Sequence, residues 1–386
     1  MRFAHARSAR PSDGRSCIEC LEARQLMSAT TDLFAQTNLV SDGAVPAAHV
    51  DPQLLNPWGV AFVPNAEFWV SDNNAGVTTL YDGAGVKQSL VVNVPGAGGQ
   101  TAAPTGQVFN GTAGFVVHKG NVSGAAVFIL DGEDGGLSAW SPSVDVNNAI
   151  LVYDGNTAPG GAVYKGLAIG NVGADTFLYA ANFRSGNVDV FDSNFALVHS
   201  KNAFKDPSIP KGFAPFNVQN INGMIAVTYA KQDAAKHDDV AGAGNGFVDF
   251  FSTKGKLIRR LHHGKFLDSP WGLTVAPTSY DKLAGDILVG NFGSGQIDAF
   301  NPRSGKFITT LDSAANTPIV INGLWALTPG SGAADSSTQS IYFSAGSNDE
   351  QDGLFGTLDF SSSITTGKVV KSPAPHNPVT PVMTGY

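Results

Sequence analysis

Cysteine is nearly absent from this chain: 386 residues contain two, Cys17 and Cys20, and both stand in the N-terminal segment. Everything after them must fold without disulfides. The Cys-x-x-Cys pair has no βαβ context and no second ligand pair nearby, so it is read as incidental to a leader rather than as a redox or zinc motif. Charge is also sparse, at 15% of residues, and its balance is −8. A mildly acidic surface argues against nucleic acid and against anionic lipid as partners. No apolar run approaches the roughly 18 residues of a membrane-spanning helix. The longer ones, such as Ala125 to Leu130, have strand length. A 3.6-residue apolar period over a helical length is missing too, and so are a Gly-x-Ser-x-Gly elbow and a phosphate-binding Gly-Lys-Ser/Thr loop. Nucleophilic and nucleotide chemistry lose their usual signatures with them.

What the chain does have is glycine, 45 residues of it, and enough hydrophobic residues, 42%, for a large core. Five times a glycine stands five residues ahead of an aromatic that is followed by Asp, Asn or Ser: Gly76/Tyr81, Gly135/Trp140, Gly186/Phe191, Gly246/Phe251 and Gly295/Phe300. The recurrence at about 50 to 60 residues marks a repeat architecture. Each unit begins with a short apolar strand, as in Trp58-Gly59-Val60-Ala61-Phe62, Gly166-Leu167-Ala168-Ile169 or Trp271-Gly272-Leu273-Thr274-Val275. A second strand follows, such as Phe177-Leu178-Tyr179 or Ile287-Leu288-Val289, then a glycine-bearing polar turn. A third, alternating strand such as Val188-Asp189-Val190 carries the aromatic at its end.

Six such units are visible. A sheet of three or four strands cannot cover both of its own faces, and radial closure leaves few free edges. The expected fold is therefore all-β, a six-bladed β-propeller. The strand-like stretch Thr37-Asn38-Leu39-Val40, ahead of the first unit, is placed to close the ring by completing the sixth sheet. This divides the chain into a leader over 1–30, a propeller over 31–365 and a flexible tail over 366–386.

The recurring glycine, aromatic and Asp or Asn resemble the NHL-type repeat. The stretch from about 37 to 360, with Asn56-Pro57-Trp58-Gly59 echoed by Ser269-Pro270-Trp271-Gly272, is similar to an uncharacterised family of secreted bacterial six-bladed propellers. Leu21-Glu22-Ala23-Arg24-Gln25-Leu26-Met27-Ser28-Ala29 resembles the Leu-Glu-x-Arg-x-Leu-Leu-Ser-Ala motif of exported planctomycete proteins, with Met27 in place of a Leu. The resemblance implies export and an extracellular or cell-surface location.

In a blade of antiparallel strands, the entrance to the innermost strand and the turn between the second and third strands lie on one face of the disc. That geometry gathers Asn56, Trp58, Lys165, Asn217, Ser269, Trp271 and Asn322 at entrances, with Asn73, Asn74, Asn182, Arg184, Lys231 and Asn291 at turns. Amides orient a polar ligand and aromatic rings stack on it, so the ligand-binding set is read as Asn56, Trp58, Asn73, Lys165, Asn182, Trp271, Asn291 and Asn322. Against this stand plain structural roles: Asn bonds its own backbone in turns, and Trp fills cores.

Six-bladed propellers of the gluconolactonase and amidating-lyase kinds hold a divalent metal at the channel mouth, which would imply calcium or zinc as cofactor. The matching ligands are hard to find. His262 and His263 are adjacent and point apart on a strand, and His237-Asp238-Asp239 sits in an insertion within the fourth unit. Asn348-x-Glu350-x-Asp352-Gly353 with Asp359 mimics a calcium-loop spacing, and Asp131-Gly132-Glu133-Asp134-Gly135 does so more weakly. Both are read as acidic hairpins. No catalytic residue is assigned. The sequence reads as an exported binding module for a protein or carbohydrate partner, the alternative being a metal-dependent hydrolase, lactonase or lyase with its site at the channel mouth.

Overall fold

The computed structural model describes residues 29–366 except 158–159 and 199–201. Both cysteines, nearly all of the export-type motif and the tail beyond residue 366 lie outside the described residues. The propeller unit spans Thr31–Ile364.

Five sheets are four-stranded and run outward from an inner strand in antiparallel order. Their inner strands are Pro57–Phe62, Pro104–Phe109, Tyr164–Val172, Phe213–Ile221 and Pro270–Val275. The sixth begins with Leu324–Pro329, continues through Ile341–Ala345 and Leu354–Thr366, and takes Ala29–Ser41 from the other end of the chain as its next strand. Each inner strand contacts the next, and the sixth returns to the first, so the ring is closed. The expected fold and its N-terminal seam are both present. The seam strand is longer than Thr37–Val40, and it also pairs in parallel with Asp312–Ser313 ahead of the sixth blade.

The repeated motif has a mechanical origin. Gly76, Gly135, Gly186 and Gly295 have φ of 66°, 85°, 71° and 69°, the left-handed region a tight hairpin turn requires. The aromatic five residues later ends the third strand and is buried between sheets: Tyr81, Phe191, Phe251 and Phe300 are fully enclosed. Alternating third strands also carry an aspartate in three blades, fully buried at Asp249 and Asp298 and half-buried at Asp189. Asp189 accepts from Asn182 at 2.8 Å, Asp249 from Arg260 at 2.7 and 3.0 Å, and Asp298 from Asn291 at 2.8 Å.

Near its start, every inner strand slips register against its neighbour. Such bulges re-aim a side chain. The residues inside them are Trp58, Thr105, Lys165, Phe216, Trp271 and Trp325, one position repeated around the ring. Glycine follows four of the six because the inner strands converge there. A Cβ on Gly59 would lie 2.4 Å from the Thr105 carbonyl oxygen, and one on Gly272 would lie 2.6 Å from that of Trp325. Gly59→Ala should therefore destabilise the protein by about 3 kcal/mol through forced overpacking. Thermal unfolding of that variant checks it, and a melting temperature equal to that of the native chain would refute the tight approach.

Asp131, 2% exposed, sits beside this convergence. Its Oδ1 accepts from the Gly106 amide at 2.7 Å and the Thr105 hydroxyl at 2.8 Å, while Oδ2 has no protein partner. Burial raises its pKa to about 7. Because the folded state prefers the protonated carboxyl, the stability this group contributes is intact below its unfolded pKa, near 4, and is lost as pH climbs through 7. Stability should fall by about 2 kcal/mol from this group between pH 5 and 8, and Asp131→Asn should flatten that slope. Denaturant unfolding across the pH range measures it.

Candidate functional site

The bulge position explains where the two predicted tryptophans go. Trp58 and Trp271 are buried rather than set on an open rim. With Trp325, Phe183 and Phe216 they form one buried cluster where the inner strands meet, and the half-buried Phe292 packs against it. Trp58 stacks on Trp325 at 3.5 Å between ring centroids, Phe292 stacks on the same indole at 4.0 Å, and Trp271 meets Trp58 edge-on at 6.1 Å. Such aromatic pairs add about 0.5–1.5 kcal/mol each beyond the area they bury. The rings close the central opening at this end, and a cavity of about 230 Å³ lined by all six inner strands remains beyond them.

Lys165 occupies the same bulge position in the third blade, and it is the one charged residue in that set. Its side chain is 3% exposed. The ammonium lies over the Trp58 ring, 5.1 Å from the centroid. It donates to Glu133 Oε1 and, at 3.3 Å, to Asp238 Oδ1. Burial works against the charge, yet the carboxylates of Glu133, Asp238 and Glu350 outweigh it and hold the Lys165 pKa above the ordinary lysine range. Its backbone carbonyl accepts from the Trp271 indole at 2.7 Å, which ties the charge to the plug.

Above this floor, a cavity of about 540 Å³ is lined by Asp238, Asp239, Phe292, Asn322, Asp349 and Glu350, with Asn348 beside them. Glu350 stands on a turn, Ser347–Glu350, that is not an ordinary helix. Asn348, Asp349 and Glu350 have φ of 54°, 51° and 63°, three successive non-glycine residues in the left-handed region. Each such residue costs on the order of 1 kcal/mol or more, so the surrounding structure must hold the turn. It does so through Asn56, whose Nδ2 donates to Glu350 Oε2 at 2.8 Å, and through Asn74, whose amide donates to the Glu350 carbonyl at 2.6 Å. Asn56 is itself oriented by the Trp325 indole, which donates to its Oδ1 at 3.0 Å. Burial raises the Glu350 pKa to about 7. Asp239 is also raised by burial, and its shielded Oδ2 has no protein partner.

The expected site residues therefore divide. Asn56, Lys165 and Asn322 come together at this mouth, and Asn73 joins them by donating to Glu133 Oε2 at 3.0 Å. Asn182 and Asn291 are buried and donate their amides to Asp189 and Asp298. Trp58 and Trp271 belong to the plug. Asn217 lies inside its strand rather than at an entrance, bonded to the Trp271 carbonyl at 2.8 Å. The carboxylates of Glu133, Asp238, Asp239 and Glu350 were visible in sequence only as acidic hairpins and an insertion. The signal available for Glu350 was the Asn348-Asp349-Glu350 run: Asn and Asp tolerate the left-handed region better than most residues. The calcium-loop spacing itself does not form, since Asp359 lies within the strand Leu354–Thr366.

One further set stands out at the mouth. Ligand atoms of Glu133, His237 and Asp238 all lie within 4.8 Å of one another.

The protein is a six-bladed β-propeller whose buried lysine, strained turn and carboxylates are gathered at one mouth. No known domain-family profile matches the chain. It is 33% identical over 325 residues to "Uncharacterized protein L690" of Acanthamoeba polyphaga mimivirus, covering 83% of this chain and 84% of that protein. It is 31% identical over 327 residues to "Uncharacterized protein R648" of the same virus, covering 83% and 78%. The chain belongs to the family these mimivirus proteins represent. Among solved structures, a glucose dehydrogenase superposes with a TM-score of 0.53 at 12% identity, over 85% of this chain and 100% of that one. A Bacteroides thetaiotaomicron protein of unknown function does so at 0.51 and 10% identity, over 86% and 77%. At such identities the likeness is one of fold alone. No helix among the described residues is long and apolar enough to cross a membrane.

Proposed function

We propose that this protein is an exported or cell-surface propeller that binds a carbohydrate in the mouth cavity. The observation that carries the reading is the left-handed turn Asn348–Glu350, held by Asn56 and Asn74 so that Glu350 lines the cavity. Strain kept in place by dedicated partners is typical of ligand sites. The lining suits a polyhydroxylated ligand: carboxylates and amides of Asp238, Asp239, Asn322 and Glu350 serve hydroxyl donors and acceptors, and Phe292 supplies an apolar wall. Asp239 Oδ2, shielded and unpaired, wants a donor that a sugar hydroxyl offers. The export-type stretch Leu21 to Ala29 supports the location.

A panel of immobilised bacterial, algal and plant oligosaccharides tests this. The native protein should bind at least one, and Asp239→Asn or Glu350→Gln should weaken that binding by about tenfold or more while melting close to the native temperature. If no glycan binds and the same substitutions instead disrupt capture of a protein partner, the carbohydrate assignment fails in favour of a protein-binding face. Fractionation of producing cells tests the location, and a protein confined to the cytoplasm would defeat it.

A further inference from the structure

We propose that Lys165 is a tethered cation holding the place of a divalent metal ion at the channel mouth. The mouth then works without metal, and a neutral side chain at this position turns Glu133, His237 and Asp238 into a zinc site. The inference stands on the ion geometry and does not depend on which ligand the cavity binds.

Three observations converge. The bulge position that carries Lys165 is filled in the other blades by Trp58, Thr105, Phe216, Trp271 and Trp325, none of them charged. A lysine there buries an ammonium in a plug of aromatic rings, where desolvating an ion costs several kcal/mol unless it is fully paired. The pairing is supplied from two other blades: Glu133 from the hairpin turn of the second, and Asp238 from the insertion in the fourth. The third observation is that these carboxylates, together with His237, bring their oxygens and nitrogen within 4.8 Å of one another. One imidazole and two carboxylates in that arrangement match the donor set of a zinc ion.

The ammonium already contacts two of the three donors, and the third, His237 Nδ1, lies 2.8 Å from the same Asp238 Oδ1 that Lys165 reaches. A divalent ion placed among these donors would sit against the buried ammonium, in a part of the protein where like charges repel strongly. Lysine carries a compact point charge with three donors on a flexible stem, which suits it to fill a position of this kind. The ammonium also lies over the rings of Trp58 and Phe183, 5.1 and 5.9 Å from their centroids, as cation–π contacts.

The test compares the native protein with Lys165→Met, both stripped with chelator. Zinc titration by calorimetry and thermal unfolding with and without zinc provide the readouts. The native protein should take up no zinc at this set, and His237→Ala in the native background should leave metal content and melting temperature unchanged. Lys165→Met should melt lower without metal, bind one zinc and regain most of the lost temperature when zinc is added, since a ligand bound only by the folded state stabilises it. Adding His237→Ala to Lys165→Met should weaken zinc binding by more than about tenfold, the loss that even an outer-sphere partner can cause. A native protein that holds stoichiometric zinc and loses it in the His237→Ala variant overturns the proposal. So does a Lys165→Met protein that shows no response to zinc, or that stays unfolded with zinc present.

Discussion

Removing residues 31–45 should lower the melting temperature by well over ten degrees, and Phe34→Ala alone should cost about 3–5 kcal/mol. The strand Ala29–Ser41 supplies the sixth blade with the strand that pairs with Leu354–Thr366. Phe34, 1% exposed, packs 4.8 Å from the Tyr280 ring in the fifth blade and 5.9 Å from Phe360 in the sixth. The Tyr280 hydroxyl in turn donates to the Leu358 carbonyl at 2.5 Å. At the end of the same strand, Val40 is buried in one cluster with Phe68 and Tyr81, which fastens the segment to the first blade. One stretch of chain thus joins three blades, and its loss exposes an unpaired edge at the only place where the ring is not continuous in sequence. Calorimetric unfolding of the truncated and substituted proteins measures the effect. A truncation that melts with the native chain would mean that the ring closes without its seam.

The second large effect belongs to the Lys165–Glu133 pair. Removing the ammonium leaves carboxylates at the mouth uncompensated, and Lys165→Met should destabilise the protein by about 3–5 kcal/mol in the absence of metal. Glu133→Gln should also destabilise, because Lys165 then loses the carboxylate it contacts most closely. The double variant should lose much less than the sum of the two, with a coupling of about 1–3 kcal/mol. Simple additivity in that cycle would show that the two side chains are neighbours without being energetically paired.

The repeat was legible because hairpin turns and strand alternation are local: Gly186 at φ 71° and the buried Phe191 express a rule that acts over a handful of residues. The same holds for the paired Trp58-Gly59 and Trp271-Gly272, which recur because every inner strand must bulge and then approach its neighbour. Their role was not legible. A tryptophan at a strand entrance suits a ligand rim as well as a plug, and only the convergence of the inner strands, which brings Trp58 onto Trp325, separates the two. Asn182 and Asn291 at turns read like Asn56 at a strand entrance, since amides look alike until their partners are known; two face an aspartate seven residues on, and the third faces a carboxylate 294 residues away.

The sequence by itself determined the all-β repeat, the six blades and the strand that closes them, because those depend on periodicity and turn chemistry within each unit. Only the tertiary structure decided that one end of the opening is closed by aromatic rings, that Lys165 carries a charge into them, and that Glu133, Asp238 and Glu350 meet above it. Those side chains come from blades two, three, four and six, and no local pattern records which residues a closed ring will bring face to face.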